Sequence, residues 1–208
     1  MINYIGNDII SFTSEENIRS FNHPGYFAKI LSGKELEWAK GYNLSVISSL
    51  FWTVKESAYK VFCKCGNLKA FSPRNFHIQT EKMKISDLKN SVMCHVTGIK
   101  TSAYGLDFYS VSEITRAYCH TLTCLTPFCG VLFAQEVIAN MNKKKLYDIT
   151  AAKCMETIAK QIETGCDELQ LARNEKNIPV LLKNGLPLNV DVSLSYDDNL
   201  AAYAFIIQ

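Results

Sequence analysis

Trp52, Glu56 and Lys60 follow one another at four-residue spacing. On a helix that spacing stacks an aromatic ring, a carboxylate and an ammonium along one stripe, one turn apart. As an exposed ion pair, Glu56 and Lys60 would contribute roughly a few tenths of a kcal/mol. Within a cleft, the same pair would instead form part of an active-site face. Asp8, two residues after Gly6, offers a second carboxylate. Alone it reads as a turn aspartate capping local amides. At a strand end it can project into a cleft.

The elements that must position these groups leave their own marks. Ile47, Leu50, Val54, Ala58 and Val61 fall on one apolar arc opposite the Trp52 stripe, predicting a long amphipathic helix over about 44–62, closed by Gly66. A short strand is predicted over 2–5, ending at Gly6-Asn7-Asp8. Thr13 with Glu16, and Ser32 with Glu35, have capping-box spacing. They predict one helix that reaches Phe21 and a second that ends near Gly41. After Pro73 come β-rich runs at 76–79, 92–97, 104–111 and 114–125, with turns at Asn90-Ser91 and Thr101-Ser102, which reads as an antiparallel sheet. Beyond a break at Pro127 and Gly130, residues 137–141 read as a connecting helix and 143–145 as a basic turn. A helix over 151–163 with Gly165 as its stop, a strand over 169–172, and a hairpin of 190–194 with 200–207 complete the chain.

At 208 residues, one domain or two small ones could bury a real core. A formal net charge of +2 argues against a general nucleic-acid binder. No apolar run is long enough to span a bilayer, and Met-Ile-Asn-Tyr-Ile-Gly-Asn-Asp lacks the pattern of a signal peptide, so a cytoplasmic protein without membrane attachment is expected. The eight cysteines include no C-x-x-C pair, and free thiols are expected. Cys119-His120 with Cys124 comes nearest to a ligand cluster, but on a strand positions 119 and 120 point to opposite faces, and no tetrahedral set is visible.

Gly6-x-Asp8 followed by Trp52-x-x-Lys55-Glu56-Ser57-x-x-Lys60 resembles the paired signature of the 4′-phosphopantetheinyl transferases. Phe27-Ala28-Lys29-Ile30-Leu31-Ser32 with Glu35 is similar to the family's F-x-K-I-x-(S/T)-x-x-E segment. Val192-Ser193-Leu194-Ser195-Tyr196 is similar to its V-S-L-S-H motif. The resemblance implies an α+β fold of two pseudo-twofold-related α/β halves with antiparallel sheets. Residues 1–130 would carry the G-x-D and W-x-x-K-E-S-x-x-K motifs, and 131–208 the S-L-S-Y motif. In long family members the S-L-S-H stretch precedes G-x-D; here it comes last, as a circular permutation would arrange it. A monomer is then expected. The alternative is the short trimeric holo-acyl-carrier-protein synthase type, with an insertion between Phe71 and about Asn140.

The resemblance implies transfer of the phosphopantetheine arm of coenzyme A to a serine of an apo acyl or peptidyl carrier protein, as in fatty acid or polyketide assembly. Asp8 and Glu56 would hold Mg²⁺, with Mn²⁺ as a substitute. Lys60 would offset charge on the phosphate, and Glu56, or a water beside it on the metal, would take the serine proton. Trp52 would wall the site, while Lys55, Lys60, Ser195 and Tyr196 would contact the coenzyme. Arg19, Lys29, Lys34 and Lys40 would receive an acidic carrier. Three positions depart from the family pattern: Tyr196 stands where the family has histidine, Ile178 before Pro179 where it has lysine, and Ile10 where many long members have an acid. Lys153, Lys176 and Lys183 are the expected substitutes for the missing charge. A catalytically weakened member that only binds a carrier protein or nucleotide is the alternative function.

Overall fold

The first strand, β1 (Ile5–Ser11), is buried along its whole length, so Gly6-Asn7-Asp8 lies inside it rather than at its end as predicted. The computed structural model describes residues 3–23, 25–67, 69–85, 93–128, 133–139 and 145–208. Three short helices follow β1: α1 (Glu15–Phe21), α2 (Tyr26–Ile30) and α3 (Gly33–Ala39). The cap of α1 is Ser14, whose side chain accepts from Asn17 N, not Thr13, which bonds Ser11 instead. The Ser32–Glu35 capping box forms as its spacing predicts, whereas α2 was not anticipated.

The long helix α4 (Leu44–Lys64) starts at Asn43, whose side chain caps Ser45 and Val46, and ends at Cys65 before Gly66. All five residues of its predicted apolar arc are fully buried. Its sheet-facing side also carries hydroxyls, which need partners when buried. Thr53 meets Thr121 at 2.7 Å and Ser57 meets Thr123 at 2.6 Å. Those threonines in turn bond Ser112 and Ser110.

Next in the chain come β2 (His77–Ile78), β3 (Lys84–Ile85), β4 (Met93–Ala103), β5 (Leu106–Thr115) and β6 (Tyr118–Cys124). They join β1 in an antiparallel sheet ordered β1-β6-β5-β4-β2, with β3 also on β4. The turn between β4 and β5 is Tyr104-Gly105, both at positive φ, as a tight hairpin requires. Thr101-Ser102, predicted as the turn, lies within β4; the predicted turn at Asn90-Ser91 falls outside the described residues.

Residues 133–138, part of which reads as helical in the sequence, form strand β7 (Phe133–Ile138). The basic run at 143–145 is described only from Lys145, the N-cap of α5 (Leu146–Gln161). The chain closes with β8 (Leu169–Arg173), β9 (Pro179–Lys183), β10 (Leu186–Pro187), β11 (Val190–Asp197) and β12 (Leu200–Ile207). β11, β12 and β7 form a second sheet, and β10, β9 and β8 a third. The β9–β10 turn, Asn184-Gly185, has positive φ at both residues.

Alternation on β1 joins these layers. Ile5 and Ile9 point toward β12, packing with Ala204, Ile206, Leu200 and Ala202. Along its free edge, β1 donates Ile5 N to Asp191, Asn7 N to Ser193 and Ser11 N to Asp197, side chains on one face of β11. Buried Lys64 of α4 binds Asp191 at 2.8 Å and the Ile5 and Val192 carbonyls. Here Gln208 Nε2 also donates to Asn3 O at 3.1 Å.

The opposite face of β1 meets α4 at Gly6, where a Cβ would lie 2.1 Å from Ser57 O. Gly6→Ala must therefore push the helix away, at an expected cost of about 1–3 kcal/mol or more; urea unfolding of the variant measures it. A second test concerns Lys55, whose ammonium is enclosed with Glu35 at 2.6 Å and Ile30 O at 2.8 Å. Lys55→Met leaves a buried carboxylate without its cation, and a loss of about 3–5 kcal/mol is expected in the same measurement.

Candidate functional site

Side chains two apart on β1 share a face, so Asp8 looks toward α4 as Gly6 does. With the backbones in contact at Gly6, Asp8 arrives beside the next turn of the helix. Lys60 Nζ lies 2.9 Å from Asp8 Oδ1 and 3.8 Å from Glu56 Oε1, and donates to Asn7 O at 2.8 Å. The two carboxylates thus converge on one ammonium, with Asp8 nearly buried and Glu56 and Lys60 at 30% and 26% side-chain exposure. That is the position of a wall facing a cavity, not of a fully solvated helix face.

The cavity has a volume of about 260 Å³ and is lined by Asp8, Ile10, Glu16, Tyr26, Trp52, Glu56, Tyr196 and Asp197, among others. Glu16, Ser20 and Asp197 also border a larger cleft of about 770 Å³ under α1, together with Arg19 and Asp198. Trp52 forms one wall, held edge-on by Phe71 at 5.6 Å between ring centroids. Asp197 is fixed by Ser11 N and Asn17 Nδ2, yet burial raises its pKa. Neither Glu16 nor Asp197 stood out in the sequence. Asp197 could have been found by alternation, since it follows Ser193 and Ser195 on one face of a strand.

Burial pushes the Asp8 carboxyl from 3.8 up to about 7, outweighing the attraction of Lys60; the charges of Glu56 and Asp197 add to the rise. Burial is thus the larger effect, and one ammonium does not offset it. Among the described residues no group of three or more histidine, cysteine or acidic side chains surrounds a common point. The donor set is two carboxylates, with buried Ile10 where a third acid would stand. Two hard oxygen donors converging on a cation, one of them buried, fit a divalent ion that takes its remaining ligands from phosphate and water.

The other expected site residues lie elsewhere. Lys55 does not reach the cavity: its ammonium is fully enclosed by Glu35 and Ile30 O, and Glu35 also accepts from Ser32 N and Ile78 N. It ties α4 to α3 and β2. Ser195 faces inward between the sheets, where its Oγ accepts from Asn7 Nδ2 at 3.0 Å. Tyr196 does line the cavity, but its hydroxyl is buried without a hydrogen-bond partner. Lys153 pairs with Glu136 at 3.2 Å and Lys183 with Glu168 at 3.4 Å, while Lys176 is exposed on the loop after β8. Cys119 faces α4 and bonds Thr53, whereas His120 faces the other way, 3.4 Å from Asn7 Nδ2. Burial and the charge of Lys60 lower the His120 pKa to about 4, so the ring is neutral at pH 7.

Among the described residues no helix is long and apolar enough to cross a membrane. Neither curated proteins nor solved structures gave a match to the chain. A family model described as the 4′-phosphopantetheinyl transferase superfamily matches residues 4–119, more than half of the chain. That span holds both motifs whose carboxylates meet at Lys60, and the chain belongs to the 4′-phosphopantetheinyl transferase superfamily.

Proposed function

We propose that this protein transfers the 4′-phosphopantetheine arm of coenzyme A to a serine of an apo carrier protein, with Mg²⁺ held by Asp8 and Glu56. The observation that carries the proposal is the convergence of both carboxylates on Lys60 at the wall of one cavity. The reaction forms a bond from the serine oxygen to the phosphorus bearing the pantetheine arm. It breaks the bond from that phosphorus to the bridging oxygen, and adenosine 3′,5′-bisphosphate leaves. Glu56, partly exposed in the cavity, takes the serine proton. Lys60 turns its ammonium to the leaving phosphate oxygen. The metal, when bound, neutralises phosphate charge. Trp52 and Tyr26 form apolar walls that limit water at the reacting phosphorus.

The proposal includes two halves, residues 1–130 and 131–208, related as in long family members but joined in permuted order. Support comes from the Gln208–Asn3 hydrogen bond and from the β1–β11 seam, which set the first and last described strands side by side as a permuted order of the halves expects. A carrier protein would dock on α1 to α3, where Lys29 and Lys34 are exposed and Arg19 and Lys40 sit in surface ion pairs with Glu15 and Glu37. One observation favours a second reading, a binder that no longer transfers: Tyr196 and Ile178 leave the nucleotide without the family's two cations.

Incubation with coenzyme A, Mg²⁺ and a panel of apo carriers, followed by weighing of the carriers, separates the readings. A mass gain of one phosphopantetheine is expected, and Asp8→Asn and Glu56→Gln should slow it at least about a hundredfold. Coenzyme A binding with no gain on any carrier would establish the second reading. Asp8 adds a pH test. Its carboxyl is raised in the folded state, so the metal-free protein loses stability as pH rises from about 4 to about 7. Asp8→Asn should therefore melt higher than the wild type at pH 8, and that gap should shrink toward pH 4. Mg²⁺ should raise the wild-type melting temperature more at pH 8 than at pH 5.5, because the bound carboxylate must be deprotonated, and should not raise that of Asp8→Asn.

A further inference from the structure

Among the described residues β1 is the last strand of its sheet, and the edge it turns to β11 is held by side chains instead of a paired strand. The N–H and C=O of one strand residue point to the same edge, so each residue there needs an acceptor and a donor. At Ile5 the N–H donates to Asp191 and the C=O accepts from Lys64, and those two side chains pair with each other at 2.8 Å. At Ser11 the N–H donates to Asp197 and the C=O accepts from Asn17, which bonds Asp197 in turn. Both clamps close on themselves.

Asn7 is held differently. Its N–H donates to Ser193 Oγ at 2.9 Å and its carbonyl accepts from Lys60 at 2.8 Å, but the ammonium goes on to Asp8 and Glu56 rather than to Ser193. The Asn7 side chain adds a further hold: Nδ2 donates to Ser195 Oγ at 3.0 Å, while Oδ1 is buried without a partner. Asn7 is fully buried, and Ser193 and Ser195 are each 3% exposed. None of the three lines the cavity of Asp8 and Glu56. The two serines share one face of β11, and Leu194 between them turns into the core under α5.

The peptide joining Asn7 to Asp8 is thereby fixed from behind. Its carbonyl oxygen and the Asp8 carboxylate both meet Lys60, so a turn of that peptide would shift two of the ammonium's partners at once and change the separation of Asp8 from Glu56. Pairing with β6 does not prevent the turn at this edge, because it engages the opposite one. Resting on the proposed transferase function, we propose that Ser193 and Ser195 are positioning residues: acting through Asn7, they set the place of Asp8 and Lys60 without touching coenzyme or carrier. When Lys60 turns to a phosphate, the Asn7 carbonyl loses its donor, and these two hydroxyls are what still hold the residue. The resemblance assigns Ser195 to the coenzyme instead, and the two roles predict different kinetics.

Ser195→Ala should lower kcat for carrier modification about tenfold or more, and weaken Mg²⁺ binding by a similar factor in calorimetric titration without substrates, as loss of a group that orients a metal ligand does. KM for coenzyme A should stay within about twofold, since no contact to it is removed. Ser195→Thr keeps the hydroxyl and should recover most of both losses. In an Asn7→Ala background Ser195→Ala should add nothing, whereas Ser193→Ala, which acts on the backbone N–H, should still lower kcat. Thermal melting follows each variant. Ile158→Val, a destabilising change in the core under α5, should alter neither kcat nor Mg²⁺ affinity. A raised KM for coenzyme A with kcat intact, or equal losses from Ser195→Ala with and without the Asn7 side chain, would overturn the positioning role and leave the transferase proposal standing. A wild type that binds Mg²⁺ but modifies no carrier would overturn the transferase proposal, and the Mg²⁺ titrations of Ser195→Ala and the double variant would then decide the positioning role alone.

Discussion

Gly6 can lie against α4 only because it has no Cβ, and the position of that helix follows from this contact. A Cβ would stand 2.1 Å from Ser57 O and 3.0 Å from a methyl of Val61, so nothing larger fits without moving the helix. Two consequences come from geometry alone. A strand returns to the same face every second residue, so Asp8 must also point at α4. A helix returns every turn, so Glu56 and Lys60, on either side of the Ser57 contact, are presented to it. The spacing of the motif is thus a packing requirement first, and the site is what that packing brings together.

The helix is fixed in register as well as in distance. Thr53 and Ser57 bond Thr121 and Thr123 on β6, and those threonines bond Ser112 and Ser110 on β5. Directional bonds between helix and sheet define one axial position, whereas apolar contacts alone tolerate sliding. Lys64 supplies the second constraint, reaching from α4 to β1 and β11 at once. β1 therefore has every edge occupied: β6 on one side, the side chains of Asp191, Ser193 and Asp197 on the other, and α4 over its face. Ser195 of the S-L-S-Y strand lies inside this seam, bonded to Asn7.

Periodicity made the long helix, its buried arc and the closing hairpin legible, because burial and alternation act on many residues at once. The Ser32–Glu35 box was legible because two reciprocal bonds demand that spacing. Single-residue decisions were less so. Thr13 and Ser14 are both competent caps, and only the direction in which the chain leaves β1 chooses Ser14. Residues 137 and 138 lie in a strand because β12 offers an edge to pair with, a tertiary fact that local propensity does not contain. The β9–β10 hairpin did carry a signal, Asn184-Gly185, the pair best suited to two successive positive φ values. Lys55 carried none. Its neighbours in sequence suggest a site cation, and only the folded chain brings Glu35 around to neutralise it in the core.

The two lysines of the helix motif show how burial assigns roles to like residues. Lys55 has one carboxylate and one carbonyl, is fully enclosed, and has no route to solvent, so its charge is committed to holding α3 and β2 in place. Lys60 keeps about a quarter of its side chain exposed and stands between two carboxylates that line a cavity. Its charge does not offset the burial of Asp8, whose carboxyl stays pushed up to about 7. On the proposed function that shortfall is useful. A cation of higher charge would stabilise Asp8 and Glu56 better than one ammonium does, and Lys60, displaced from them, would be left with a phosphate oxygen as the nearest anion. On that proposal Lys60 would be the counter-charge of the site before it turned to the leaving group, and its partial exposure leaves it room to do so.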